Sequence, residues 1–276
     1  MSSLLTTDFS INTDKSLQAT FYPSDDSSKP TIFYIHGGGL IYGSRNDLPQ
    51  QYLNIFHQAG YPILTVDYYL APESQLPEIL RSLQAQLTNL LENFAKLGLK
   101  DNAYVLFGRS AGAFLAMQLI RQGAKPIAFL DFYGFPNLST KMTQPSATYL
   151  KYPSVPDATV KSLIHPHPVS SDRSDERFLL YVYARQTGRW ATLLGATSLS
   201  ALTAKEFAEF PPTYICQATA DPDVPFMNAI QLKARLSQAI LKTVTAKAHD
   251  FDRTPTTENQ VIYQTVTNWL NNQIDH

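Results

Sequence analysis

Two hydrophobic patterns alternate along this chain up to about residue 134. The first is a short continuous apolar run rich in β-branched and aromatic side chains, found at residues 31–35, 63–69, 104–107 and 127–130. Such runs suit strands covered on both faces, as in a parallel sheet. The second pattern repeats every three to four residues. Leu80, Leu83, Leu87, Leu90, Leu91, Phe94 and Leu97 form one apolar stripe, and Pro77 stands near its start, where a missing N–H costs nothing. Residues 111–121 read as a second helix, too apolar to lie on a surface. Strand and helix in alternation predict βαβ units and a doubly wound, mostly parallel α/β sheet flanked by helices.

Between about residues 135 and 210 the alternation stops. Pro153, Pro156, Pro166 and Pro168 interrupt it, and residues 178–183 and 190–194 carry bulky apolar groups with no clear strand role. This stretch is expected to be a cap inserted into a single domain spanning residues 1–276. The sheet pattern resumes at 213–218, with a helix at 227–239 and a strand at 241–245. A last helix is expected from Thr257, where Thr257 and Gln260 have capping-box spacing, with Val261, Ile262, Val266, Trp269 and Leu270 as its buried stripe.

Composition narrows the choice of function. Charged residues make up 16% of the chain and the formal net charge is −1, with no clustered Lys and Arg to displace counterions. Nucleic acid binding and a polybasic membrane patch are therefore not expected. No apolar stretch is long enough to span a membrane, and the first residues lack the basic start and apolar run of a signal peptide, so a soluble cytoplasmic protein is expected. The single cysteine, Cys216, excludes an internal disulfide and reads as a buried strand residue.

The chemistry-bearing residues gather in a few segments. Gly108-Arg109-Ser110-Ala111-Gly112 joins an apolar strand to a helix. A serine hydroxyl needs exposure, alignment and a neighbouring base to act as a nucleophile, and a sharp strand-to-helix turn supplies the exposure if its neighbours are small. His36-Gly37-Gly38-Gly39 follows the first strong strand run. Its consecutive glycines can aim N–H groups into a cavity, where they and the N–H of Ala111 could bind an oxyanion. Five of the chain's 12 glycines lie in these two motifs.

A base and an acid must follow the serine. His249 lies between the last strand and the last helix, and Asp221 follows the preceding strand, giving the order Ser110, Asp221, His249. His249 would take the serine proton while Asp221 fixes its tautomer. Asp223, two residues on, is the rival acid. Asp131 lies within a strand run, and Asp250 and Asp252 are too close in sequence to His249 to orient it easily. His36 is expected to support the glycine loop, His57 to lie on the surface of an early helix, and His276 is terminal. His165 and His167 suggest a metal only weakly, since no further ligands cluster with them.

Together these segments resemble the α/β-hydrolase superfamily, and within it the hormone-sensitive-lipase-like esterases. His36-Gly37-Gly38-Gly39 is similar to that group's oxyanion motif, which implies Gly38 and Gly39 as donors. Asp67-Tyr68-Tyr69-Leu70-Ala71-Pro72-Glu73 resembles its D-Y-R-L-A-P-E segment, with Tyr69 in place of the arginine, and Phe210-Pro211-Pro212 resembles its L-P-P entry to a late strand. The likeness spans about residues 30–135 and 195–274. Arg109 stands where Asp, Glu or His is commoner, and Asp221-Pro222-Asp223-Val224-Pro225 is closer to the D-x-x-V-P form of other α/β-hydrolases. The resemblance implies an α/β-hydrolase fold and hydrolysis of a small carboxylic ester, of short or medium acyl length, without metal or organic cofactor. Two other readings stand beside it: a serine peptidase using Arg109 or an acidic cap residue to anchor a peptide terminus, and a non-catalytic small-molecule receptor. Oligomeric state is not legible in the pattern.

Overall fold

The computed structural model describes residues 7–11, 14–24, 28–99, 103–138, 144–172, 175–196 and 201–274. Its strands, in chain order, are β1 (Thr7–Ile11), β2 (Asp14–Tyr22), β3 (Thr31–Ile35), β4 (Ile63–Val66), β5 (Tyr104–Arg109), β6 (Ala128–Phe132), β7 (Thr213–Ala218) and β8 (Ala239–Val244). They form one sheet in the order β1-β2-β4-β3-β5-β6-β7-β8. From β4 to β8 neighbouring strands run parallel, while β1 and β2 add an antiparallel edge. This is the doubly wound sheet expected from the alternating pattern.

Successive side chains of a strand face opposite sides of the sheet. In β3, Phe33 and Ile35 enter one core while Ile32 and Tyr34 enter another; β5 separates Leu106 from Val105 and Phe107 in the same way. Two cores require helices on both faces. α1 (Gln50–Gln58) and α9 (Thr257–Ile274) cover one with Tyr52, Phe56, Tyr263 and Val266. α2 (Leu76–Asn93), α3 (Ala111–Arg121) and α8 (Phe226–Arg235) cover the other. The stripe of α2 faces inward as expected, and every residue of α3 from Ala111 to Ile120 is buried.

Between β6 and β7 lie α4 (Asp157–Leu163), α5 (Phe178–Thr187), α6 (Trp190–Leu193) and α7 (Ala204–Ala208). The bulky groups of residues 178–183 and 190–193 are thus helical, and Leu180, Tyr181 and Trp190 join the core shared with α2 and α3.

Several local readings differ from the pattern: α8 ends at Arg235 rather than at 239, and Val261, expected in the buried stripe of α9, is 52% exposed. β1 and β2 were not anticipated, although Ala19 and Phe21 enter one core and Tyr22 the other, which marks β2. β8 begins at Ala239, earlier than expected, because Ile240, Lys242 and Thr243 are exposed on an edge strand and the apolar run understates its length. The cap of α9 is one residue earlier than the spacing suggested: the hydroxyl of Thr256 accepts from Asn259 N over 3.3 Å. Gln260 instead donates to Pro255 O at 3.0 Å, so the Thr257–Gln260 pair forms no box.

The strand order reverses at β3, with β4 on one side and β5 on the other. In open α/β sheets the crevice beyond the carboxyl ends of the strands at such a reversal is where ligands bind. The glycine loop leaves β3 and Ser110 leaves β5, so both reach this crevice.

Candidate active site

Ser110 sits at the turn from β5 into α3 with φ 53° and ψ −118°, a left-handed conformation that costs energy in a residue with a Cβ. Its N–H is tied to Phe132 O at 2.8 Å. The glycines beside it allow the close approach: a Cβ on Gly108 would come 2.3 Å from Ala113 N, and one on Gly112 would come 2.1 Å from Ile35 O. Turn and helix can pack against the sheet only without those atoms. Ala111 opens α3, so its N–H is among those with no partner inside the helix, at the positive end of the helix dipole.

The glycine loop packs directly on this turn. A Cβ on Gly37 would lie 3.4 Å from the Cβ of Ser110. Gly38 (φ 99°), Gly39 (φ 60°) and Leu40 (φ 64°) take successive positive φ values, and Gly38 O accepts from Ile41 N and Tyr42 N at 3.0 and 3.1 Å. His36 supports the loop as expected. It is fully buried, stacks on Tyr68 with ring centroids 4.2 Å apart, and its Nδ1 lies 2.8 Å from Gly37 O. Tyr68, in the segment that resembles D-Y-R-L-A-P-E, donates from its hydroxyl toward His36 O and Gly37 O at 3.0 and 3.1 Å.

His249 reaches Ser110 from the loop after β8. Its Nε2 lies 2.7 Å from Ser110 Oγ and its Nδ1 lies 2.7 Å from Asp221 Oδ2. An ionised carboxylate only accepts, so Nδ1 carries the proton and Nε2 presents its lone pair to the hydroxyl. Asp221 is itself held in place. Its Oδ1 accepts from Asp223 N at 2.8 Å and Val224 N at 2.9 Å, and Gln217 Nε2 donates to Oδ2 at 2.7 Å. Burial disfavours the charged imidazolium, but the hydrogen bond and charge of Asp221, with Asp223 and Asp250 behind it, outweigh that and raise the pKa of His249.

The other candidates are placed elsewhere. Asp223 is engaged by other groups: Oδ1 pairs with Arg185 at 2.6 Å, and Oδ2 accepts from the hydroxyls of Tyr149 and Tyr181, both at 2.9 Å. Asp131 is buried and accepts from Gly134 N at 2.9 Å, and burial lifts its pKa to about 7. His57 is half-buried rather than on the open surface, with Nδ1 3.0 Å from Pro23 O. His165 and His167 are exposed, and among the described residues no group of His, Cys, Asp and Glu could hold a metal ion. Cys216 is buried in β7, which pushes its thiol pKa up. His276 lies outside the described residues.

Ser110, His249, Gly38 and Gly39 line a cavity of about 340 Å³. Its walls include Tyr42, Tyr149, Tyr152, Phe178 and Tyr181, several of them from the stretch between β6 and β7. Tyr181 lies against the glycine loop, where a Cβ on Gly39 would come 2.3 Å from its ring, and Trp190 Nε1 donates to Gly39 O at 2.8 Å. Sequence reasoning missed Arg177. Its guanidinium is bidentate to Glu73 at 2.6 and 2.8 Å and also donates to Ala71 O and Ile41 O. It thereby ties the residues before α5 to the 67–73 segment; a glutamate ending that segment was the available signal that a buried cation must answer it.

A serine on a strand–turn–helix bend of a mostly parallel sheet, with Asp and His on loops after later strands, defines the α/β-hydrolase class. This chain belongs to that family: the family model for the alpha/beta hydrolase fold matches residues 32–253. A solved structure of a Staphylococcus aureus protein of unknown function is similar, with a TM-score of 0.88 and 28% identity over 96% of this chain and 98% of that one. An α/β hydrolase superfamily protein from Enterococcus faecalis has a TM-score of 0.86 and 26% identity over 98% of this chain and all of that one, 100%. An esterase from Gibberella moniliformis is 27% identical over 203 residues, which are 71% of this chain and 58% of the esterase. The chain thus spans little more than half the length of that curated relative. Among the described residues no helix is long and apolar enough to cross a membrane.

Proposed function

We propose that this protein is a serine hydrolase that cleaves small carboxylic esters of short or medium acyl length through an acyl-Ser110 intermediate. The observation that carries the reading is the relay from Ser110 Oγ through His249 to Asp221, with both hydrogen bonds at 2.7 Å. As Oγ attacks the ester carbonyl carbon, His249 Nε2 takes its proton and Asp221 stabilises the imidazolium formed. The carbonyl oxygen becomes an oxyanion between the N–H groups of Gly38, Gly39 and Ala111, and losing one such donor raises the barrier by about 2.7–4 kcal/mol. His249 then passes its proton to the departing alkoxide. A water molecule, deprotonated by the same nitrogen, attacks the acyl carbon and restores the serine. The helices between β6 and β7 act as a cap whose tyrosines shape the acyl or alcohol site, and the names of the similar proteins support an ester as substrate.

A fluorophosphonate probe and a p-nitrophenyl ester series of increasing acyl length test this together. Labelling of wild type but not of Ser110→Ala is expected, with turnover falling beyond medium chains. Turnover of aminoacyl amides but of no ester would reverse the choice of bond, and labelling unchanged in Ser110→Ala would end the serine mechanism.

A further inference from the structure

Arg109, the unusual residue before the nucleophile, and Asp252, three residues beyond His249, meet beneath the cavity. Both are buried, 5% and 0% exposed, and Arg109 Nη2 donates to Asp252 Oδ1 over 2.7 Å. The hydroxyl of Tyr133 joins them, accepting from Arg109 Nε at 2.6 Å and donating to Asp252 Oδ1 at 2.6 Å. Tyr263 of α9 donates to Asp252 Oδ2 at 2.5 Å, and Tyr52 of α1 donates to Asp252 O at 2.9 Å. On the far side Arg109 lies 3.6 Å from Asp47.

Two features suggest that this network does more than fill space. Replacing a buried ion pair by apolar groups is often neutral or stabilising, so the pair is weak evidence of a stability role. Tyr133 also holds φ at 47°, strained for a bulky side chain, and its ring meets the ring of His249 edge to face with centroids 4.9 Å apart. His249 lies in a stretch, residues 245–256, that has neither helix nor strand to fix it.

We propose that Arg109, Tyr133 and Asp252 are positioning residues that clamp the turn carrying Ser110 to the loop carrying His249, and so hold the nucleophile–base hydrogen bond. The clamp explains why an arginine occupies position 109: from there its fork spans to Asp252 and Tyr133 at once. Arg109 also lines the cavity, but Tyr133 and Asp252 hold its Nε and Nη2, which leaves little of the guanidinium to anchor a peptide terminus. The inference rests on the serine-hydrolase reading above.

Tyr133→Phe removes both bonds of the hydroxyl, and Asp252→Asn removes the charge paired with Arg109, each while keeping shape. For folded variants, kcat for p-nitrophenyl acetate per titrated active site is expected to fall about 10–100-fold, as misplaced reacting groups do, with KM little changed. The downfield proton resonance of His249 Nδ1 in its bond to Asp221 is expected to broaden or shift. If Asp252→Asn does not fold, the double variant Arg109→Met/Asp252→Leu, which exchanges the ion pair for apolar groups, gives the same two measurements. Wild-type kcat together with an unchanged histidine resonance in folded variants would overturn the clamp. A wild type without ester turnover would refute the hydrolase reading instead, and the resonance, which needs no substrate, would still decide the clamp.

Discussion

Replacing Asp221 by Asn changes one atom and should disable the base through its tautomer. Oδ1 of Asp221 accepts from two backbone N–H groups, those of Asp223 and Val224. The amide of Asn at this position must keep its oxygen there, because its NH2 group would face two donors. The NH2 group then occupies the place of Oδ2 and donates to His249 Nδ1, while Gln217, whose buried Oε1 bonds to none of the described residues, turns to accept from it. The proton moves to Nε2, facing Ser110 Oγ, and the base is lost. Flipping the amide back leaves two buried donors opposed, a cost of about 2–3 kcal/mol, or roughly a hundredfold in the competent form. Loss of the charge-assisted bond to the imidazolium removes about 1.5–3 kcal/mol more. Together kcat should fall about 10³–10⁴-fold, in the range expected when such a residue is made an amide. Steady-state hydrolysis of p-nitrophenyl acetate on the alkaline plateau, with active-site titration, measures it. Asp223→Asn is the control: its oxygens serve Arg185, Tyr149 and Tyr181, so KM should change more than kcat. An equal loss of kcat in both variants would refute the tautomer argument.

Other predictions follow from the same geometry. Because Asp221 and the neighbouring Asp223 and Asp250 raise the pKa of His249 against the effect of burial, kcat/KM should rise with pH through an acid limb above about 6.5, the ordinary histidine value. In Asp221→Asn that limb should move down, and a pH–rate profile with a native limb at or below the ordinary value would contradict the assignment. Gly39→Ala places a Cβ 2.3 Å from the ring of Tyr181 at φ +60°, so an oxyanion donor should be displaced and kcat should drop about 10²–10³-fold. Gly98→Ala, with φ +73° and nothing within 4 Å, should lower Tm through a left-handed strain of about 1–2 kcal/mol while kcat stays native; equal kinetics in the two variants would count against the donor role. Asp131, with its pKa raised to about 7 in the folded protein, should favour folding least once ionised. The stability gain of Asp131→Asn should therefore grow from about pH 4, the unfolded value, to about pH 7 and level off above it. Thermal melts across that range check it, and a flat difference would mean the carboxyl is ionised or neutral throughout.

Much of this molecule was legible in its residues because the signals are local. The apolar runs at 31–35 and 104–107 had to be strands buried on both faces, and their side chains do divide between two cores. The glycines at 108 and 112 announced a tight strand-to-helix turn, and the contacts a Cβ would make there show why no other residue fits. The start of the largely exposed β8 and the early cap of α9 are not legible because edge strands and helix ends carry weak periodicity. β2 is marked by Ala19 and Phe21 on one face and Tyr22 on the other.

By itself, the sequence determined the alternating architecture, the sharp turn at Ser110, the glycine loop and the order of Ser110, Asp221 and His249, since each is written in a local run of residues. Only the tertiary structure decided which of two nearby aspartates faces His249, because residues 221 and 223 part according to the bonds made by distant groups, Gln217 on one side and Arg185 with Tyr149 and Tyr181 on the other. It alone brought Arg109 to Asp252, 143 positions apart, and Arg177 to Glu73. Such pairings follow from the path of the whole chain, where burial forces each charge to find a partner, and no local pattern encodes which partner it will be.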